Sequence, residues 1–171
     1  MKTNRCIITG IEPYELPFGA NTGSNEFKRI SMKLRNAIGT LHEKGVDEFY
    51  TDCDYGFPLW GAKHIISLMR DNDIRLYVVF PHENQMFSYA EDWRDDFFFV
   101  HEHCTDVIPM FQDSDVDGNI IFSRLSEKEL VRKAHDFMLD DCKRLIYCGT
   151  PRGYIYEQAV IRGYEITHIN I

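Results

Sequence analysis

Ile7-Ile8-Thr9-Gly10 runs an apolar stretch into a glycine turn, and a helical pattern follows. The same punctuation recurs at Thr51-Asp52-Cys53-Asp54-Tyr55-Gly56 and at Tyr147-Cys148-Gly149-Thr150-Pro151-Arg152-Gly153. Strand, tight turn, helix is the repeating unit of a parallel α/β sheet. In such a sheet these turns share one rim, at the carboxyl ends of the strands, where ligands bind. A helix that starts there offers free N–H groups and the positive end of its dipole to an anion. A small, phosphorylated ligand is therefore expected on that rim.

Working outward, apolar runs predict strands over Arg5–Thr9, Glu48–Asp52, Ile74–Phe80, Asp106–Met110, Arg144–Cys148 and Glu165–Ile169. Helical spacing joins Phe27, Ile30, Leu34, Ala37, Ile38 and Leu41, with Gly45 as the stop. It recurs over Leu59–Met69, and over an aromatic stretch Phe87–Val100 in two pieces. Ser126 and Glu129 form a capping box that opens a helix over Glu127–Leu139. The last helix spans Gly153–Ile161 and closes at Gly163. The alternation predicts one α/β domain over residues 1–171, Rossmann-like, its mainly parallel sheet flanked by helices on both faces. Pro109 restricts its strand to an edge or a short length. Gln112–Asn119 reads as a polar surface loop.

The chain has 171 residues, 44% hydrophobic and 27% charged, with a net charge of −8. That balance suits a soluble globular protein and opposes a surface that wraps nucleic acid. No apolar run is long enough to span a membrane. Too few apolar residues follow Met1-Lys2-Thr3-Asn4-Arg5 for a secretory leader. The five cysteines are scattered with no CxxC pair, which suits reduced thiols in the cytoplasm.

No GxGxxG or GxxxxGK[ST] is present, so neither a standard dinucleotide site nor a Walker ATPase is expected. His101-Glu102-His103-Cys104 lacks the second ligand pair a zinc site needs. Asp113-Ser114-Asp115-Val116-Asp117-Gly118 starts like a calcium loop but places Arg124 where a bidentate glutamate belongs. No metal and no cofactor is expected. Thr9 and Gly10 read either as a plain strand end or as a backbone edge against a ligand. Thr150 suits a helix N-cap and Pro151 the first helical position, so Arg152 adds a fixed cation at an anion site. The long loop Gly10–Gly23 reads as a binding loop. Phe97-Phe98-Phe99 cannot all face one core from a helix, which suggests packing on a second copy in a homo-oligomer.

In order along the chain, the motifs resemble the YpsA-type proteins of the SLOG superfamily, which also holds the LOG nucleotide hydrolases and the Rossmann domain of DprA. The resemblance rests first on Ile8-Thr9-Gly10 with Glu12-Pro13-Tyr14-Glu15-Leu16. The second match is Asp52-Cys53-Asp54-Tyr55-Gly56-Phe57-Pro58-Leu59-Trp60-Gly61-Ala62. Asp92-Trp93-Arg94 with Cys104-Thr105-Asp106-Val107 is the third. Phe137-Met138-Leu139-Asp140-Asp141, leading into Leu145-Ile146-Tyr147 and Gly149-Thr150, is the fourth. Asp52-Cys53 replaces the small pair of the family's second turn, and Pro58 replaces an acidic residue.

The resemblance implies a sensor or regulatory module for a nucleotide or an ADP-ribose-like derivative. Its expected contacts are Thr9, Gly10, Asp52, Gly56, Pro81, Gly149, Thr150 and Arg152. Asp52 suits ribose hydroxyls or a base, since it repels a phosphate. The alternative is a nucleotide N-glycosidase like the LOG group, which needs a carboxylate beside an oxocarbenium-like transition state. Glu12 and Asp54 are the candidates, because Gly149-Thr150 is followed by Pro151-Arg152-Gly153 with no glutamate before Glu157. DNA binding as in DprA is opposed by the acidic charge.

Overall fold

A computed structural model describes residues 4–171; the reading of the opening Met1-Lys2-Thr3 lies outside them. Six strands form one parallel sheet: β1 (Arg5–Gly10), β2 (Glu48–Thr51), β3 (Arg75–Phe80), β4 (Asp106–Pro109), β7 (Arg144–Cys148) and β8 (Glu165–Ile169). Their spatial order is β4-β3-β2-β1-β7-β8. The chain thus winds one way from β1 to β4, returns to the middle, and winds the other way through β7 and β8. The helices are α1 (Asn25–Glu43), α2 (Phe57–Met69), α3 (Glu91–His103), α4 (Glu127–Asp141) and α5 (Tyr154–Ile161). The fold is the Rossmann-like α/β arrangement that the alternation of runs implies.

Strands buried on both faces lose the alternation of an exposed sheet and become continuously apolar. β1 does so at Cys6-Ile7-Ile8, all wholly buried. Its two faces meet different helices. Ile8 packs against Gly61 of α2, whereas Arg5 pairs with Asp141 at the end of α4. A Cβ on Gly61 would come within 2.6 Å of Ile8 Cγ2, so this close helix-on-strand approach requires glycine. At the amino ends of the strands the register places Arg5 opposite Glu48 and Glu48 opposite Arg75. Arg5 Nε meets Glu48 at 2.5 Å and Arg75 meets it at 3.4 Å. This charge ladder occupies the rim opposite the glycine turns and ties three strands together.

Most element boundaries fall within two residues of the sequence reading. Ser126 caps α4, and its capping box with Glu129 forms. The aromatic stretch divides into a short 3-10 turn (Gln85–Ser88) and α3. Pro109 sits in β4 at the sheet edge. In α3, Phe97 is buried while Phe98 and Phe99 stay exposed.

Two local readings are corrected. Gln112–Asn119 is not a plain loop. Gln112–Ser114 (β5) pairs antiparallel with Ile120–Phe122 (β6). The Asp115 carboxylate accepts the N–H groups of Asp117 and Asn119 and closes a tight turn between them. α5 also starts later than a Thr150 cap and a Pro151 first turn would place it. Its N-cap is Gly153 and its first residue Tyr154. Gly149 has φ +104° and Gly153 φ +87°, so a left-handed residue bounds the segment at each end and the helix starts only after the second.

Two helical glycines give opposite expected signs. Gly39→Ala in α1 places its methyl in open space and raises stability by about 0.5–1 kcal/mol through helix propensity. Gly61→Ala drives its methyl into Ile8 and lowers stability by about 1–3 kcal/mol. Denaturant melts of the two variants beside the unmodified chain check both.

Candidate functional site

The reversal of winding between β1 and β7 leaves a crevice at their carboxyl ends, where an open parallel sheet offers a ligand site. Thr9 pairs in register with Tyr147 and Gly10 with Cys148, so the first and third glycine turns lie side by side. A cleft of about 320 Å³ opens there. Thr9 and Gly10 line it, with Glu12 and Glu15 from the loop after β1, Asp52 and Asp54 from the turn after β2, His135 from α4, and Arg152 to Ile155 around the start of α5.

The Asp52 turn is held by its own side chains. Thr51 Oγ1 accepts the Cys53 N–H at 3.1 Å, and Asp52 Oδ1 accepts the Asp54 N–H at 3.0 Å. Asp54 Oδ1 accepts the Tyr55 N–H at 2.8 Å and the Tyr89 hydroxyl proton at 3.1 Å. Between the two aspartates, Cys53 has φ +53°, the one non-glycine residue with positive φ among the described residues. Such a conformation costs about 1–3 kcal/mol and concentrates at ligand sites and switches. The residues on either side of Cys53, Asp52 and Asp54, both line the crevice. Asp52, 4% exposed, meets His135 Nε2 at 3.1 Å through Oδ2.

The crevice is electrostatically two-sided. On one side, burial and the carboxylates of Asp54 and Asp52 push the Glu12 pKa up to about 7. Burial and Asp52 push Asp54 up to about 6. Carboxyl groups displaced toward neutrality within one cleft mark a functional-site candidate. On the other side, α5 begins at Gly153, which supplies no side-chain cap, and Gly153, Tyr154 and Ile155 line the cleft. Arg152 lies beside that helix start. Its carbonyl accepts the Tyr147 hydroxyl proton at 2.7 Å, and its guanidinium pairs with Glu15. Glu15 also accepts the Glu12 N–H at 3.1 Å, so Arg152 is tethered to the Glu12–Glu15 loop across the cleft.

Thr9, Gly10, Glu12, Asp52, Asp54 and Arg152 thus meet in one cleft. Pro81 lines a neighbouring cleft that shares Asp52 and Asp54 with the first. Gly56, Gly149 and Thr150 line neither. Gly56 is the N-cap of α2, and a Cβ there would meet Pro13 at 2.9 Å. Gly149 turns the chain away from β7, where a Cβ would meet Ile11 at 2.5 Å. Both shape the rim from behind it. His135, Glu15, Tyr147 and Tyr154 escaped the sequence reading. His135 lies mid-helix with no motif around it, and only the packing of α4 brings it to Asp52. Tyr154 is fixed by a hydrogen bond to Asp136 and by Arg132 lying 3.1 Å from its ring centroid. His101 packs on the rings of Phe80 and Phe97, and burial lowers its pKa to about 4. Among the described residues no group of three or more His, Cys, Asp or Glu side chains could hold a metal ion. Among them, too, no helix is long and apolar enough to cross a membrane.

The raised carboxyl groups set a pH dependence of stability. Folded Glu12 and Asp54 hold protons that the unfolded chain has released between its ordinary carboxyl range near 4 and the folded values near 6–7. Through that window the native state binds more protons, so stability falls as pH rises from about 4.5 to about 7 and then levels. Asp54→Asn keeps the acceptor for Tyr55 and Tyr89, flattens this slope, and raises stability at pH 8 by on the order of 1 kcal/mol. Urea melts at stepped pH values check the sign.

No curated protein matches the chain. The profile of the YspA SLOG family matches residues 6–148, from the second residue of β1 to the last of β7. That span holds both strands of the crevice and all the acidic residues on its walls, and the chain belongs to the YspA SLOG family.

Proposed function

We propose that the crevice binds a nucleotide or nucleotide derivative, ADP-ribose-like in kind, as a sensor or regulatory module. One observation carries the reading: an uncapped helix start beside Arg152 faces a buried Asp52–His135 pair across one cleft at the switch point of the sheet. The helix N–H groups and Arg152 attract a phosphate. Asp52 repels phosphate and accepts ribose hydroxyl protons, so the sugar lies toward β2 and the phosphate toward α5. Membership of the SLOG family supports the ligand class.

A second reading is favoured by Glu12 and Asp54. An N-glycosidase needs one carboxyl group protonated near neutral pH as an acid and another ionised to stabilise positive charge on the sugar. A cleft with Glu12 near 7 beside Asp52 and Asp54 meets that electrostatic requirement.

Titration calorimetry with ribose 5-phosphate, AMP and ADP-ribose tests the binding reading. Arg152→Ala weakens these ligands by about 1.5–3 kcal/mol, the range of a charge-assisted hydrogen bond. It leaves the denaturant melt within about 0.5 kcal/mol, because its pair with Glu15 is half-exposed. Unchanged affinity removes Arg152 from the site.

Chromatography of nucleoside monophosphates after incubation tests the enzyme reading. Released base that falls at least about a hundredfold in Glu12→Gln or Asp54→Asn establishes a general acid or base. No released base from bound nucleotides leaves the sensor.

A further inference from the structure

The second cleft, about 550 Å³, adjoins the first across Asp52 and Asp54. It lies at the carboxyl ends of β2 and β3, against α4 and the 3-10 turn that precedes α3. Its wall carries a side chain whose hydrogen bonding is half complete. Gln85 is only 7% exposed, and its Nε2 donates to the Asp52 carbonyl oxygen at 2.9 Å. Its Oε1 is buried and has no hydrogen-bond partner. Turning the amide over would set Oε1 against the Asp52 carbonyl, acceptor facing acceptor, so the chemistry fixes the orientation. His82 Nδ1, on the same wall, makes no hydrogen bond and has the Glu127 carboxylate 3.9 Å away. Phe87 lines the cleft and remains 67% exposed, an aromatic face left in water at the edge of a polar cavity.

A buried acceptor without a donor is destabilising unless a bound group completes it. The missing group must donate an N–H, be flat enough to lie beside Phe87, and connect to a sugar held at Asp52. We propose that the second cleft is the base subsite of the ligand, selecting a nucleobase that carries an exocyclic amino group, as adenine and cytosine do. The amine donates to Gln85 Oε1. A base with a carbonyl at the same position sets a second acceptor against it and is rejected. Phe87 stacks on the base, which is sequence-tolerant by itself and leaves discrimination to Gln85. The proposal rests on the reading that the first cleft holds the sugar phosphate, and it deepens that reading by naming the base class.

The experiment compares AMP with IMP and CMP with UMP, each pair exchanging amine for carbonyl, with ribose 5-phosphate as the probe that lacks a base. Titration calorimetry of the unmodified chain is expected to show an amino nucleotide binding at least about tenfold more tightly than its carbonyl partner, the scale of one completed buried hydrogen bond. Gln85→Leu abolishes that ratio; because it also removes the donor to the Asp52 carbonyl, the ratio within each nucleotide pair and not the absolute affinity is its readout. Phe87→Ala, at an exposed position that the fold does not need, weakens AMP and CMP several-fold and spares ribose 5-phosphate. If Gln85→Leu does not fold, the ligand pairs on the unmodified chain and Phe87→Ala decide the question. Equal binding within each pair overturns the base subsite while nucleotide binding stands. Failure of all the nucleotides and of ribose 5-phosphate to bind overturns the sugar-phosphate reading and the subsite with it.

Discussion

The pairing of β1 with β7 is the constraint on which the rest of the site depends. Two strands far apart in the chain lie in register from Cys6 with Arg144 to Gly10 with Cys148. Because β2 leaves β1 on one side and β8 leaves β7 on the other, the helices that follow diverge and the crevice opens between them. The register decides which residues face each other there. A slip of one residue would turn either Thr9 or Tyr147 to the other face of the sheet and break their pairing. Such a slip is resisted at the far rim, where Arg5 meets Glu48 and Asp141. The two rims differ: ion pairs fix the amino ends of the strands, and turns at the carboxyl ends line the candidate site.

The crevice is costly to the fold. Glu12, Asp52 and Asp54 crowd one side of it, and Cys53 holds a left-handed backbone between the two aspartates. None of this raises stability. A chain selected for stability alone would place a glycine at Cys53 and an amide at Asp54. Strain and crowded charge that persist together on the ligand rim of a sheet are the expected trade of stability for function. The side chains of the turn compensate in part, since Thr51, Asp52 and Asp54 each satisfy a backbone N–H that the turn would otherwise leave without a partner.

The two clefts form one continuous surface with an ordered polarity. The start of α5 and Arg152 lie at one end, the carboxylates and His135 in the middle, and Gln85 and Phe87 at the other. Asp52 belongs to both clefts. Its side chain meets His135, while its backbone carbonyl holds Gln85 in place. A change at Asp52 therefore acts on both clefts.

The sequence by itself determined the layers of this fold. Apolar runs of strand length, helical spacing and glycine turns are local signals, and they located β1, β2, β7, β8 and the helices between them. Burial on both faces is written into the composition of a strand, and the apolar Cys6-Ile7-Ile8 agrees with the interior place that β1 takes in the sheet. Local spacing also placed Thr9, Gly10, Asp52 and Arg152 at strand ends or helix starts, and these meet in the crevice. Where two local signals competed, the sequence misled: Thr150-Pro151 resembles a helix start, but the positive φ angles of Gly149 and Gly153 delay the helix to Tyr154. Tertiary structure alone decided which residues from distant segments came together. Asp52 with His135, Glu15 with Arg152, and Gln85 with the Asp52 carbonyl join elements whose separation in the chain carries no periodicity. The same holds for the raised pKa values of Glu12 and Asp54, because desolvation and mutual repulsion arise only once folding has removed the water between them.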